Sequence, residues 1–258
     1  MAVAGAIFAA TSPALAQDLC VGFGPQTPRD ISNAAGTNLS ATASAPAASA
    51  MNLCNIHFHA SAEHKSPSFQ TASTDASKPG FRCEGSDSLT AAELASVEGN
   101  GAAACQGIAA GDTLEVHWVY TSCDVQPGEG LGACSSEMCV NPTLRVETQV
   151  FLAVNDPNAA DFTAFGYKGS DDGARPQPAA LPEGTGTPVV FAGSTTGPAY
   201  TEAQCSPLNV TWSVRPQCAK VDINSLNTWC GDNVFNEDHA HGVRALVTAP
   251  ELLSPIAN

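Results

Sequence analysis

Ten cysteines are spread along the chain from Cys20 to Cys230, and no two lie closer than Cys134 and Cys139. This pattern constrains the fold more than any other feature. No CxxC pair occurs, so a zinc cluster held by cysteines is disfavoured. An even number of cysteines in an exported chain predicts a disulfide framework instead. Export is an expectation from the opening residues, where an apolar run leads to "SPALAQ" and Ala14-Leu15-Ala16 has the small-residue form of a cleavage site. Residues 1–16 therefore read as a signal peptide, and 17–258 as one mature domain that is periplasmic or secreted. Which cysteine pairs with which does not follow from their order.

Charge narrows the partners. With 25 acidic against 10 basic residues and a net charge of -15, the chain repels nucleic acid and anionic membrane surfaces. No later apolar run is long enough for a membrane span. A hydrophobic content of 43% allows a sizeable core. Alternating or β-branched stretches predict strands at 52–60, 112–122, 144–154 and 207–214. A Ser-rich start and a Gly-Asn stop predict a short helix over 86–100. Residues 32–51 read as irregular surface, and the Gly/Pro-rich residues 168–188 as a long excursion. No repeat or linker divides the chain, so one β-rich domain is expected. The oligomeric state is not legible.

Four of the six histidines fall in two of these strands or just beyond them. In "CNIHFHASAEH" at 54–64, Asn55, His57 and His59 project to one face, because residues two apart on a strand share a side. In "LEVHWVY" at 114–120, His117 sits mid-strand. A neighbouring strand would bring its ring beside the first two. Three neutral imidazoles leave one position of a tetrahedral zinc open, which is the pattern of a catalytic site. Asn55 and Glu115 each lie two residues before a ligand and are candidates to hold its second nitrogen. A rival reading uses His57, His59 and Glu63 together. They fit the H-x-H-x3-E spacing of cupins, with His117 completing a metal set for an oxygenase or isomerase. The glycines that cupin pattern wants are replaced by Met51 and Gln70, and its second motif is missing before His117. A third reading is a silent, disulfide-stapled binding domain.

Five blocks in order carry a further resemblance. "HFHASAEH" and "LEVHWVY" resemble the zinc-histidine segments of α-class carbonic anhydrases. "FAGSTTGP" at 191–198, "NVTWSV" at 209–214 and "CVGFGPQTPRDI" at 20–31 resemble three other blocks of the same enzymes. The wording of the blocks, the ten cysteines and the long excursion look closer still to δ-class carbonic anhydrases, divergent relatives of the α class.

The resemblance implies a mainly β, single-domain fold: a large twisted, mostly antiparallel sheet with short peripheral helices. It implies one Zn2+ per chain on His57, His59 and His117, and reversible hydration of carbon dioxide to bicarbonate through zinc-bound hydroxide. Asn55 would orient His57, and Glu115 would orient His117. Thr196 would accept a hydrogen bond from the hydroxide and pass its own proton toward Glu63. Val119 and Trp212 would wall the pocket for the gas, and Cys20 would pair with Cys205. His64 matches a structural histidine. No histidine lies between Ile31 and Asn55, where such enzymes often carry a proton shuttle, so proton export is expected to limit turnover. His239 and His241, in "NEDHAHG", are the spare histidines; they read as surface residues of an acidic loop, with a proton shuttle as the alternative reading.

Overall fold

The computed structural model describes residues 22–97, 105–169, 174–195 and 205–257. Among these, the strands are β1 (Asn52–Ala60), β2 (Thr71–Ala72), β3 (Phe81–Arg82), β4 (Thr113–Thr121), β5 (Leu144–Val154), β6 (Val189–Thr195), β7 (Leu208–Val214) and β8 (Ala219–Asp222), followed by helix α1 (Ile223–Gly231). β2 and β3 form a small hairpin, and the rest join one sheet in the order β1-β4-β5-β7-β6. The β1–β4, β4–β5 and β6–β7 pairings are antiparallel, whereas β7 and β8 run parallel to β5. β5 is long enough to take both on one side: β7 pairs with Leu144–Thr148 and β8 with Phe151–Val154. The sheet is mostly antiparallel, as expected, with a parallel step at its centre.

Strand alternation sorts the side chains between two apolar clusters. Leu114, Val116, Trp118 and Tyr120 of β4 join Ile56 and Phe58 of β1 in one cluster, which α1 covers with Leu226, Trp229 and Cys230. Val119 joins Val146, Val150, Val210 and Trp212 in the other. All nine residues of β4 are buried, because both faces of this central strand are covered. The β1–β4 register shifts between Leu53 and Asn55. That bulge puts Leu53 on the α1 side while Asn55, His57 and His59 stay on the other.

The helix expected over 86–100 is absent from its described part. Ser86–Ser88 makes a 3-10 turn, and the Thr90 hydroxyl and amide both bond the Glu93 carboxylate. Ser and Asp offer the backbone local side-chain bonds that compete with helix. The Ala-rich remainder has no apolar stripe to bury, and Leu94 is exposed. Helix α1 was not anticipated, yet it carries ordinary signals. The Asp222 carboxylate accepts from Asn224 N as an N-cap, and Ile223, Leu226, Trp229 and Cys230 form the buried stripe. "FAGSTTGP" lies on β6 as far as Thr195.

Among the described residues, four disulfides join Cys54–Cys134, Cys83–Cys218, Cys105–Cys230 and Cys123–Cys139. Cys205 is also disulfide-bonded, while Cys20 lies outside the described residues. No helix of the described residues is long and apolar enough to cross a membrane.

Candidate metal centre

The β1–β4 register brings the site together. His57 lies directly opposite His117, and His59 opposite Glu115. One ring nitrogen from each of His57, His59 and His117 lies within 4.8 Å of the other two. His57 Nε2 and His117 Nδ1 are 3.2 Å apart.

The remaining nitrogens decide what these rings can do. His57 Nδ1 is 2.7 Å from Asn55 Oδ1, His59 Nδ1 is 2.8 Å from the Gly242 carbonyl, and His117 Nε2 is 2.8 Å from Glu115 Oε1. Each partner is an acceptor, so each of those nitrogens carries the hydrogen. The Asn55 amide is itself oriented, because its Nδ2 donates to Gly128 O at 3.0 Å. His57 Nε2, His59 Nε2 and His117 Nδ1 therefore turn lone pairs toward a common centre, as metal ligands must. Burial, then the neighbouring imidazoles, holds His57 well below the usual imidazole range. Burial lowers His59 too, against the pull of Glu63. Neutral rings are what a divalent cation requires. The donor set fits zinc: three nitrogen ligands, each with its second nitrogen anchored.

Glu115 is fully buried. Its Oε1 also accepts from His64 Nδ1 at 2.7 Å, and its Oε2 from His64 N at 3.0 Å. Burial opposes its charge, but His64 and His117 outweigh that and keep it ionised. His64 thus supports the carboxylate that holds His117, and its ring lies 4.8 Å from that of Trp212, tilted by 56°. Trp212 also lies 5.0 Å from the His117 ring, and Val119 belongs to the same buried cluster as Trp212.

Glu63 is also buried, and its Oε1 accepts from Arg244 N at 3.0 Å and Arg244 Nε at 3.4 Å. Burial would raise its pKa, but His59 and Arg244 hold it down to about 2. Its nearest approach to a site histidine is 3.7 Å, to His59 Nδ1, the nitrogen turned away from the cluster. Thr196 lies outside the described residues. Gln26 ties the segments on either side of it, since its Oε1 accepts from Ser206 N at 3.0 Å and from Ser194 Oγ at 3.4 Å. Thr27 Oγ1 donates to Ser194 O at 2.5 Å. Gly193 permits this approach, because a Cβ there would run into Thr27 Cγ2 as well as Trp212 Cδ1.

Several functional groups escaped the sequence reading. Gly128 and Gly242 act through backbone carbonyls, which every residue has. Arg244 stands 181 positions from Glu63. The stretch containing Glu237, His241, Gly242 and Arg244 covers the free edge of β1: His241 N donates to Phe58 O and Ala60 N to His241 O, both at 2.9 Å. Glu237 Oε1 accepts from Phe58 N at 3.0 Å. The visible signal was the pair of histidines in "NEDHAHG". They are not confined to the outer surface: His239 and His241 line the same cavity, of about 290 Å3, as His57 and His59.

Comparisons with known proteins extend these observations. The family model for Delta carbonic anhydrase matches residues 48–225. Among solved structures, the chain is similar to an α-carbonic anhydrase from Thermovibrio ammonificans in complex with the inhibitor sulfanilamide. The identity is 14% and the TM-score 0.34, over 88% of this chain and 87% of that one. No curated protein matches the chain.

Proposed function

This chain belongs to the delta carbonic anhydrase family, and on that footing we propose that it interconverts carbon dioxide and bicarbonate with one zinc ion held by His57, His59 and His117. The observation that carries the reading is the convergence of three ring nitrogens within 4.8 Å, each on an imidazole whose other nitrogen is anchored. Zinc bound there would act as a Lewis acid that makes a water molecule acidic enough to supply a nucleophile near neutral pH, an effect for which carbonic anhydrase is the standard example.

The chain's own residues supply the rest. Glu63, held ionised by Arg244, can only accept hydrogen bonds. If the Thr196 hydroxyl donates to it, the Thr196 oxygen is left to accept from the reacting water, which fixes the direction of the lone pair that attacks carbon. Val119 and Trp212 would give an apolar wall suited to a neutral gas. Four disulfides among the described residues point to folding in an oxidising compartment. With residues 1–16 as a signal peptide, this would be a periplasmic or secreted enzyme. The Cys20–Cys205 bridge remains our proposal, and mass mapping that joins Cys20 to another cysteine would remove it.

Two variants test the roles of residues around the zinc. Asn55→Ala frees His57 Nδ1 and is expected to lower zinc affinity about 10- to 100-fold. Competition with a chelator of known affinity measures this, and an unchanged affinity would mean that Asn55 does not orient the ligand. Glu63→Gln is expected to keep stoichiometric zinc while hydration slows about 10- to 100-fold. Loss of the metal from that variant would make Glu63 a ligand and remove the role given to it here.

A further inference from the structure

β1 is an edge strand of the sheet, so the outward-facing backbone groups beside its histidines need partners from elsewhere. The stretch from Glu237 to Arg244 supplies them. His241 makes a parallel bridge to His59: its N donates to Phe58 O and its O accepts from Ala60 N, both at 2.9 Å. In a continued parallel ladder, the next acceptor, for Phe58 N, would be the carbonyl of His239. Here the chain has already turned toward Gln106, which bridges to His239. Gln106 N donates to Asp238 O at 2.7 Å, and Ala240 N to Gln106 O at 3.4 Å. Phe58 N donates instead to Glu237 Oε1 at 3.0 Å. A side-chain carboxylate thus stands in for a strand partner, at the residue between His57 and His59.

The same side chain is fixed from its other end. Glu237 Oε2 lies 3.0 Å from His241 Nε2, and Glu237 is only 5% exposed. Asn233 closes the turn that presents it. Asn233 Oδ1 accepts from Glu237 N at 3.0 Å, and Asn233 Nδ2 donates to Glu237 O at 2.9 Å and to Trp229 O, in the last turn of α1, at 3.1 Å. Glu237 therefore joins the edge of β1 to His241 and, through Asn233, to the end of α1. Beyond His241 the stretch reaches the site twice. Gly242 O holds His59 Nδ1, and Arg244 holds the Glu63 carboxylate. Both contacts depend on where His241 is seated along β1.

We propose that Glu237 is a positioning residue: it seats the 237–244 stretch on β1 and so fixes the Gly242 carbonyl that orients His59 for the metal. This inference rests on the zinc site proposed above. Both Glu237 oxygens are taken by Phe58 N and His241 Nε2, so the carboxylate acts through the backbone and not on the ion. Without it, Phe58 N loses its acceptor in a buried place, which favours a shift of the stretch toward some other pairing.

The test is proton NMR of cobalt-loaded protein, wild type beside Glu237→Ala. Each ligand ring carries one hydrogen on its anchored nitrogen, so the paramagnetic ion should give three shifted, exchangeable N–H resonances in the wild type. In Glu237→Ala the His59 resonance is expected to vanish by exchange with water. Those of His57 and His117 should persist, because Asn55 and Glu115 still hold them. Zinc affinity, from competition with a chelator, should fall about tenfold. Glu237→Gln keeps an acceptor for Phe58 N and is expected to restore the third resonance. Equal weakening of all three signals would show a merely structural role and overturn the proposal, as would three unchanged signals with unchanged zinc affinity. Should Glu237→Ala fail to fold, Asn233→Ala takes its place, since it frees the turn and leaves every group at β1 intact. It is expected to show the same selective loss in weaker form, and three full signals there would end the proposal. A wild type that takes up no stoichiometric cobalt or zinc would instead bring down the function on which it rests.

Discussion

His117→Ala is expected to abolish stoichiometric zinc binding and to reduce carbon dioxide hydration to the buffer's background. The ring is buried mid-strand on β4, directly opposite His57, and its Nδ1 is one of three converging donors. With two imidazoles left, the site offers too few protein ligands for a catalytic zinc. A loss of about four orders of magnitude corresponds to about 5 kcal/mol of barrier. The fold should survive, because Glu115 keeps two bonds from His64 and the strand pairing is backbone-driven. Stopped-flow hydration with a pH indicator, beside metal analysis and near-ultraviolet circular dichroism, checks all three points. A folded variant that still binds one zinc and turns over would remove His117 from the ligand set. A well-folded, metal-bound wild type without activity would defeat the proposed function itself.

Full reduction is expected to unfold the protein. Cys83–Cys218 and Cys105–Cys230 span 135 and 125 residues, and in the chain-entropy account a cross-link over such a loop restricts the unfolded chain by about 5 kcal/mol. Domains of this kind are typically stable by only about 5–15 kcal/mol, so losing several cross-links exceeds the margin even though their effects overlap. Cys83→Ala/Cys218→Ala alone should lower stability by about 2–5 kcal/mol, read from urea titration of tryptophan fluorescence. Reduction also reaches the metal centre. Cys54 immediately precedes Asn55, and Cys134 lies in the same loop as Gly128, whose carbonyl orients the Asn55 amide. Zinc affinity should therefore fall at reductant concentrations that open Cys54–Cys134. A reduced chain with unchanged fluorescence and melting midpoint would show that the two apolar clusters suffice without the cross-links.

Regular, period-two segments were legible residue by residue. The strands expected at 52–60 and 144–154 match β1 and β5 end to end, and those at 112–122 and 207–214 match β4 and β7 within a residue. The common face of Asn55, His57 and His59 was readable for the same reason: alternation is a local property of extended backbone. Helix 86–100 failed because helix-forming residues without an apolar stripe gain nothing from packing. α1 was overlooked although Asp222 and the spacing of Leu226 and Trp229 announce it. Its short stripe becomes decisive only once Phe162 and Phe235 stand against it.

By itself, the sequence determined the donor types, their strands and a disulfide-rich, mainly β chain, because these depend on residue chemistry and nearest-neighbour geometry. Only the tertiary structure decided which nitrogen of each histidine faces the centre. It also decided that Arg244 keeps Glu63 charged, and that His239 and His241 line the same cavity as His57 and His59. Those outcomes rest on backbone carbonyls at Gly128 and Gly242, and on contacts across some 180 residues between β1 and the stretch from Glu237 to Arg244. A carbonyl carries no residue-specific mark, and a long-range contact exists only after the chain has closed along the free edge of β1.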